Sequence, residues 1–207
     1  SYHLGFQLSV VTSASMNPTL QGDGDREQDW VLSERLTLWF RRPRRWEVVR
    51  LATRGGEEVM KRVVGLSGES ISIRDGKALV NGSPLEVPAS LGFLHYYGFG
   101  PFGRGDWVSC SEGYFVLGDD SKDSDDSRYN GPVRASEVRY RAWLRVWPPS
   151  RFGFVNPGGP MDKLDGFGFV ILLPILSVLP AWQRMRRDAK NARDLAPDVS
   201  TLLAQGD

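Results

Sequence analysis

The stretch SASMNPTL (13–20) sets Ser13 and Ser15 one residue apart, directly behind the β-branched run Val10, Val11, Thr12. A serine hydroxyl becomes a nucleophile only when a neighbouring base takes its proton. Without one, serines behind a strand bond the local backbone in a turn. The base is therefore the residue to find. Neither histidine offers itself, since His3 and His95 lie outside every motif of the chain. Cys110 is the only cysteine, which excludes an internal disulfide framework and a thiolate metal cluster, and it reads as a bystander ahead of an acidic turn.

Lys61 is the candidate base. In EEVMKRVVGL (57–66) a period of two places Val59, Lys61 and Val63 on one face and Met60, Arg62 and Val64 on the other. Burial among valines disfavours an ammonium and pushes the group toward the neutral amine. A free lysine titrates near about 10.4, so base work at neutral pH needs a drop of roughly two units or more. The competing reading is a lysine that reaches water from a strand edge.

These groups need a frame, and the frame reads as mostly β, an antiparallel sheet domain. WEVVRLAT (46–53) and EEVMKRVVGL (57–66) form two strands joined at the Gly55-Gly56 bend. SISIRDGKALVNG (70–82) carries Asp75-Gly76, a two-residue hairpin turn between alternating segments. Residues 83–106, with Pro84, Pro88 and Pro101 among glycines and aromatics, read as a small irregular inserted flap. Regular structure returns at GYFVLGDD (113–120) and VRYRAWLRVW (138–147). In the last segment Val138, Tyr140, Ala142, Leu144 and Val146 form a core face. Arg139, Arg141, Trp143, Arg145 and Trp147 form a second face, read either as solvated arginines stacked on tryptophans or as a surface resting on lipid head groups.

Composition narrows the partners. The 207 residues, 41% of them apolar, suffice for one compact domain with an appendage. Lysine plus arginine (26) nearly balances aspartate plus glutamate (25), so no nucleic-acid partner is expected. GFGFVILLPILSVLPAW (166–182) holds 17 residues without a charge, and as a helix would extend about 25 Å, the short end of a membrane span, interrupted by Pro174 and Pro180. Arg184, Arg186, Arg187, Lys190 and Arg193 follow it, so the positive-inside rule puts the carboxyl tail in the cytoplasm and the β domain outside. No signal peptide is visible behind Ser1, consistent with an upstream segment having been removed. The expected organisation is a catalytic core at 1–82 and 107–150, the flap at 83–106, a linker at 151–165, a membrane-spanning apolar helix at 166–182 and a polar tail at 183–207.

SASMNPTL, MKRVVGLSGE (60–69) and GDDSKDSDDSRYNGPV (118–133) resemble, in order and spacing, three marked boxes of the bacterial and organellar type I signal peptidases. The resemblance covers roughly residues 8–147, with the flap outside it. It implies a serine-lysine dyad, Ser15 as nucleophile and Lys61 as general base, with Ser13 contributing to the oxyanion hole. It further implies that Ser124 orients the lysine and that Asp126, Ser127 and Arg128 form a supporting polar network. On their own those residues could equally be an acidic surface loop, since five aspartates fall between 119 and 126.

The chain departs from the family pattern at several positions. Ala14 stands where the family has glycine, Ser67 where it has proline, Glu69 where it has aspartate and Asp120 where it has asparagine. Arg45-Trp46-Glu47 stands where an arginine-glycine-aspartate box is usual, and the out-of-order Arg104-Gly105-Asp106 is a coincidence. None of these removes a reacting group, though the Ala14 methyl could disturb the turn beside the nucleophile.

The function implied is that of a membrane-associated serine endopeptidase that removes signal peptides from exported preproteins after a small residue, with the lipid bilayer as partner and no metal or cofactor. The location implied is a bacterial inner membrane, with the catalytic domain on the extracytoplasmic side. Two alternatives stay open on sequence: a specialised or self-cleaving Ser/Lys processing protease, and a catalytically silent membrane-anchored β domain that binds peptides.

Overall fold

The computed structural model describes residues 5–22, 27–53 and 55–156. The expected membrane span at 166–182 and the tail at 183–207 lie outside the described residues. Among the described residues no helix is long and apolar enough to cross a membrane.

The chain is mostly β. Its strands are β1 (Phe6–Val10), β2 (Trp30–Glu34), β3 (Val48–Ala52), β4 (Glu58–Gly65), β5 (Ser70–Arg74), β6 (Lys77–Val80), β7 (Ser83–Pro84), β8 (Val108–Ser109), β9 (Gly113–Leu117), β10 (Val133–Arg134), β11 (Val138–Trp147) and β12 (Gly153–Phe154). Two short helices, α1 (Leu36–Phe40) and α2 (Ser127–Asn130), interrupt them. The larger sheet runs β1-β2-β11-β3-β4-β9-β10, with β12 also paired to β11, and a smaller sheet runs β7-β6-β5-β8. Every pairing is antiparallel.

The local signals work as their chemistry dictates. β3 and β4 pair across the glycine bend, with Val49 opposite Lys61. β5 and β6 close at Arg74 opposite Lys77, and Asp75 and Gly76 take φ of 49° and 77°, the left-handed pair that a two-residue hairpin of this hand requires. β4 divides its side chains between cores: Val64 packs with Ile71, Phe115 and Leu117, while Val63 packs with Val49, Leu51, Tyr114 and Val116.

The second face of β11 is for the most part buried. Arg141 is 0% exposed and Trp143 2% exposed, Arg145 and Trp147 are half-buried, and Arg139 is exposed. β11 is an interior strand paired with β2, β3 and β12, and side chains of other elements cover much of its second face. Trp143 sits between Phe6 and Phe154, at ring separations of 5.7 and 6.2 Å. Arg141 donates from Nε to Glu47 Oε1 (3.0 Å) and from Nη2 to the Asn156 carbonyl (2.6 Å), while Arg145 Nη1 donates to the Thr19 carbonyl (2.8 Å). Register shifts between Ala142 and Leu144 and between Arg145 and Trp147 break the strict alternation that the sequence period assumes.

Glu47 is the hub of this buried charge. Its carboxylate accepts from Arg41 Nη2 (2.5 Å) and the Arg44 N–H (2.8 Å) besides Arg141. Burial alone would raise its pKa, but the Arg41 and Arg44 hydrogen bonds and the Arg141 charge outweigh it and hold the carboxyl below its ordinary 4.5. A carboxylate depressed in the folded state stabilises the fold above its unfolded pKa and loses that contribution as pH falls through the folded one. Glu47→Gln is expected to cost about 3 kcal/mol at pH 7, because Arg41 and Arg141 then both lose a carboxylate and Arg141 keeps only the more distant Glu34, 3.7 Å away. Urea unfolding at pH 7 and again well below pH 4.5 should show the gap to the parent narrowing at the acid end; an equal gap at both pH values contradicts the assignment.

Candidate active site

The SASMNPTL segment is fixed by its apolar members. Met16 (2% exposed) and Leu20 (0%) pack with Val11, Val31, Val48 and Ala142, anchoring a 3-10 turn over Ala14–Met16. Ser13 precedes that turn in extended conformation, and the Ser15 carbonyl accepts from the Asp120 N–H at 3.2 Å. The turn therefore has one end in the core and the other on the 118–126 loop, with Ser15 between them, 7% exposed.

Lys61 reaches this turn from β4. Its Nζ lies 2.8 Å from Ser15 Oγ, and the lysine is 4% exposed. Burial lowers its pKa from the ordinary 10.5; the charges of Asp126, Asp125 and Asp119 act the other way, and Arg128 adds to the lowering. Ser13 Oγ stands 3.2 Å from Ser15 Oγ, so three of the sequence-predicted groups form one chain of contacts.

The last box meets them from below. Asp126 caps α2 by accepting from the Arg128 N–H (3.1 Å), and its other oxygen accepts from the Gly118 N–H (3.0 Å). Arg128, 0% exposed, grips the same carboxylate with Nε (2.9 Å) and Nη2 (2.8 Å). Ser127 Oγ accepts from the Val116 N–H at 2.9 Å, tying α2 to β9. Ser124 Oγ is buried and has no hydrogen-bond partner among the described residues. It packs on Gly118: a Cβ there would collide with the Ser124 hydroxyl and lie 2.5 Å from the Ser15 carbonyl oxygen, so the chain needs glycine where the two serine segments close on β9.

A second buried pair escaped sequence reasoning. Arg62, beside Lys61 but on the opposite face, donates from Nε (2.7 Å) and Nη2 (2.5 Å) to Asp119, which also accepts from the Thr19 hydroxyl of SASMNPTL. The available signal was the strand period, which sets Arg62 between Met60 and Val64 on an apolar face; an arginine there needs a carboxylate. Two departures from the family pattern, Glu69 and Trp46, are accommodated. Glu69 takes both Arg45 Nη1 (3.0 Å) and Nη2 (2.5 Å). Trp46, where the pattern has glycine, adopts φ 70°, held by its N–H on the Val63 carbonyl and by Arg62 Nη1 on its own carbonyl. Cys110 is buried, its thiol pushed up to about 11, which leaves it inert at neutral pH.

A cleft of about 490 Å³ opens over the pair, with Ser13, Ser15 and Lys61 in its wall, Leu51, Val59 and Val116 as apolar lining, and Glu57, Asp123, Asp125 and Glu137 at its polar side. An antiparallel β frame thus delivers a desolvated lysine onto a serine hydroxyl beside an open cleft, an arrangement in which an amine can act on a serine nucleophile.

Residues 3–147 match the family described as signal peptidase, peptidase S26. The chain is 30% identical to a signal peptidase I of Leptolyngbya laminosa over 161 residues, 73% of each chain. It is 31% identical to signal peptidase I V of Bacillus subtilis, over 62% of this chain and 78% of that one. It is 28% identical to mitochondrial inner membrane protease subunit 2 of Danio rerio, over 75% and 72% of the two chains. The chain belongs to the signal peptidase family, peptidase S26, and is a serine endopeptidase of the signal peptidase I type.

Proposed function

We infer that the chain removes amino-terminal signal peptides from exported preproteins through a Ser15–Lys61 dyad while held at a membrane. The observation that carries this reading is the 2.8 Å approach of Lys61 Nζ to Ser15 Oγ inside a desolvated wall of the cleft. Burial favours the amine over the ammonium. In that state the Ser15 hydroxyl donates to Nζ, and the proton moves to nitrogen as Oγ attacks the scissile carbonyl.

The oxyanion is met by the Ser15 N–H and by the Ser13 hydroxyl, which lies within reach of the reacting oxygen. Lys61, now an ammonium, protonates the leaving amine, and as an amine again it deprotonates the water that releases the acyl group from Ser15. By the family resemblance Ser124 orients Lys61, although its buried hydroxyl makes no hydrogen bond among the described residues and packs on Gly118 beside the Ser15 carbonyl, and Asp126, Ser127 and Arg128 hold that loop in place. The substrate lies extended along the cleft, its small side chains before the cut resting on Leu51, Val59 and Val116. A silent peptide-binding domain would have no use for a lysine desolvated against a serine, so the 2.8 Å contact favours the enzyme over that alternative.

The membrane part of the reading rests on two features. One is the uncharged run at 166–182 followed by Arg184, Arg186 and Arg187, which by the positive-inside rule supports a cytoplasmic tail and an extracytoplasmic β domain. The other is α1, where Trp39 and Phe40 are 62% and 87% exposed directly ahead of the exposed Arg42 and Arg44, an aromatic and basic pairing suited to anionic head groups.

Purified full-length chain is expected to cut a preprotein at its signal peptide, with Ser15→Ala and Lys61→Ala each lowering turnover by about 1000-fold or more. Undiminished cleavage by either variant contradicts the dyad, and failure of the parent to cut any preprotein contradicts the peptidase role. In flotation with phosphatidylglycerol vesicles the full chain is expected to rise with the lipid, and deletion of 166–182 to weaken that association. A full chain left at the bottom of the gradient contradicts the membrane reading.

A further inference from the structure

The flap at 83–106 lies outside the three boxes, yet it is bonded directly to the last of them. Ser121 is the joint. It is 4% exposed, and its Oγ accepts from the Tyr97 N–H of the flap (2.8 Å) and from Arg128 Nη1 (2.5 Å). The Ser121 carbonyl (2.8 Å) and the Tyr97 carbonyl (3.0 Å) accept from the same Nη1. In return the Phe102 N–H of the flap donates to the Arg128 carbonyl at 2.8 Å. The approach needs glycine, since Gly100 sits at φ 72° with no room for a Cβ against the Arg128 carbonyl.

We propose that Ser121, together with the flap backbone at Tyr97, is a positioning residue for the dyad: it fixes the free arm of Arg128 so that the Asp126–Arg128 pair keeps its place beside Lys61, and the flap thereby acts on the reaction without touching substrate. Arg128 is a fully buried guanidinium, and its N–H groups must all find acceptors. Asp126 takes Nε and Nη2, whereas Nη1 is held by Ser121 and Tyr97 among the described residues.

Loss of that anchor has an electrostatic sign. The charges that bear on Lys61 are Asp126, Asp125, Asp119 and Arg128. Asp119 is matched by Arg62, and Asp125 is exposed and bonded to Asn130 Nδ2, so Asp126 is the carboxylate whose balance depends on where Arg128 stands. If Arg128 withdraws, Asp126 is left to favour the Lys61 ammonium, and the amine that accepts the Ser15 proton becomes scarcer at neutral pH.

This rests on Lys61 being the general base, and the test separates the two. kcat and KM for preprotein cleavage by the full chain are measured across pH for the parent, Ser121→Ala, Gly100→Ala, Ser121→Thr and Lys61→Ala. Ser121→Ala and Gly100→Ala are expected to lose about tenfold in kcat at neutral pH, the scale of one hydrogen bond to a buried charge, with KM little changed. Their acid limb is expected to move up by about half a pH unit, while Ser121→Thr, which keeps the hydroxyl, stays near the parent. An acid limb superimposable on the parent's in a folded Ser121→Ala or Gly100→Ala chain, or a loss confined to KM, overturns the proposal. Should Ser121→Ala not fold, Gly100→Ala decides by the same reading, since it displaces the flap and leaves Ser121 intact. Inactive Lys61→Ala alongside unshifted flap variants removes this inference alone; active Lys61→Ala removes the dyad as well.

Discussion

The structure turns on keeping one lysine amine out of water against one serine hydroxyl. Neither group is reactive alone: an exposed lysine holds its proton at neutral pH, and a serine without a base is a poor nucleophile. Putting Nζ 2.8 Å from Oγ at 4% exposure joins the two requirements in a single contact, because the burial that disfavours the ammonium is supplied by the strand that aims the side chain. That contact also sets what the sheets must do. β4 has to be an interior strand, flanked by β3 and β9, and the 3-10 turn of Ser15 has to be pinned by Met16 and Leu20 at one end and by the 118–126 loop at the other.

Desolvating an amine is safe only if the surrounding charges are already matched. Arg62 on Asp119 and Arg128 on Asp126 do this on either side of Lys61, each as a two-point grip with both partners buried. A net carboxylate at either place would favour the Lys61 ammonium and work against the lowering that burial produces. The same logic recurs away from the site, where Glu47 gathers Arg41 and Arg141 and where Asp29 meets Arg151. Buried ion pairs of this kind contribute little net stability, but leaving one partner alone is costly, so they make the geometry specific more than they make the fold strong.

Much of this was legible in the sequence. Alternation put Lys61 among valines, Asp75-Gly76 announced its hairpin, and the three boxes carry residues that the fold sets close together: Ser13, Ser15 and Lys61 in contact, and Ser124 against the Ser15 segment at Gly118. What period and spacing cannot carry is long-range pairing. Arg141 reads as surface by alternation, yet its partner Glu47 lies 94 residues earlier, and the interior place of β11, paired with β2, β3 and β12, is a matter of topology. The flap was readable as irregular, but its bonds to Ser121 and Arg128 depend on where a loop without periodicity comes to rest. Trp46 at φ 70° is likewise invisible in a string of letters, because its conformation is held by Val63 and Arg62 across the strand pair.

The central claim is that Lys61 is available as an amine near neutral pH because it is buried against Ser15. The most direct measurement follows the side-chain Cε resonance of Lys61 in 13C-lysine-labelled full-length chain through a pH titration, assigned by its loss in Lys61→Ala. The account predicts a titration well below the 10.5 of an ordinary lysine. A Lys61 resonance that titrates at or above 10.5 would contradict it, since the 2.8 Å contact would then be that of an ammonium resting on a serine and not of a base poised to take its proton.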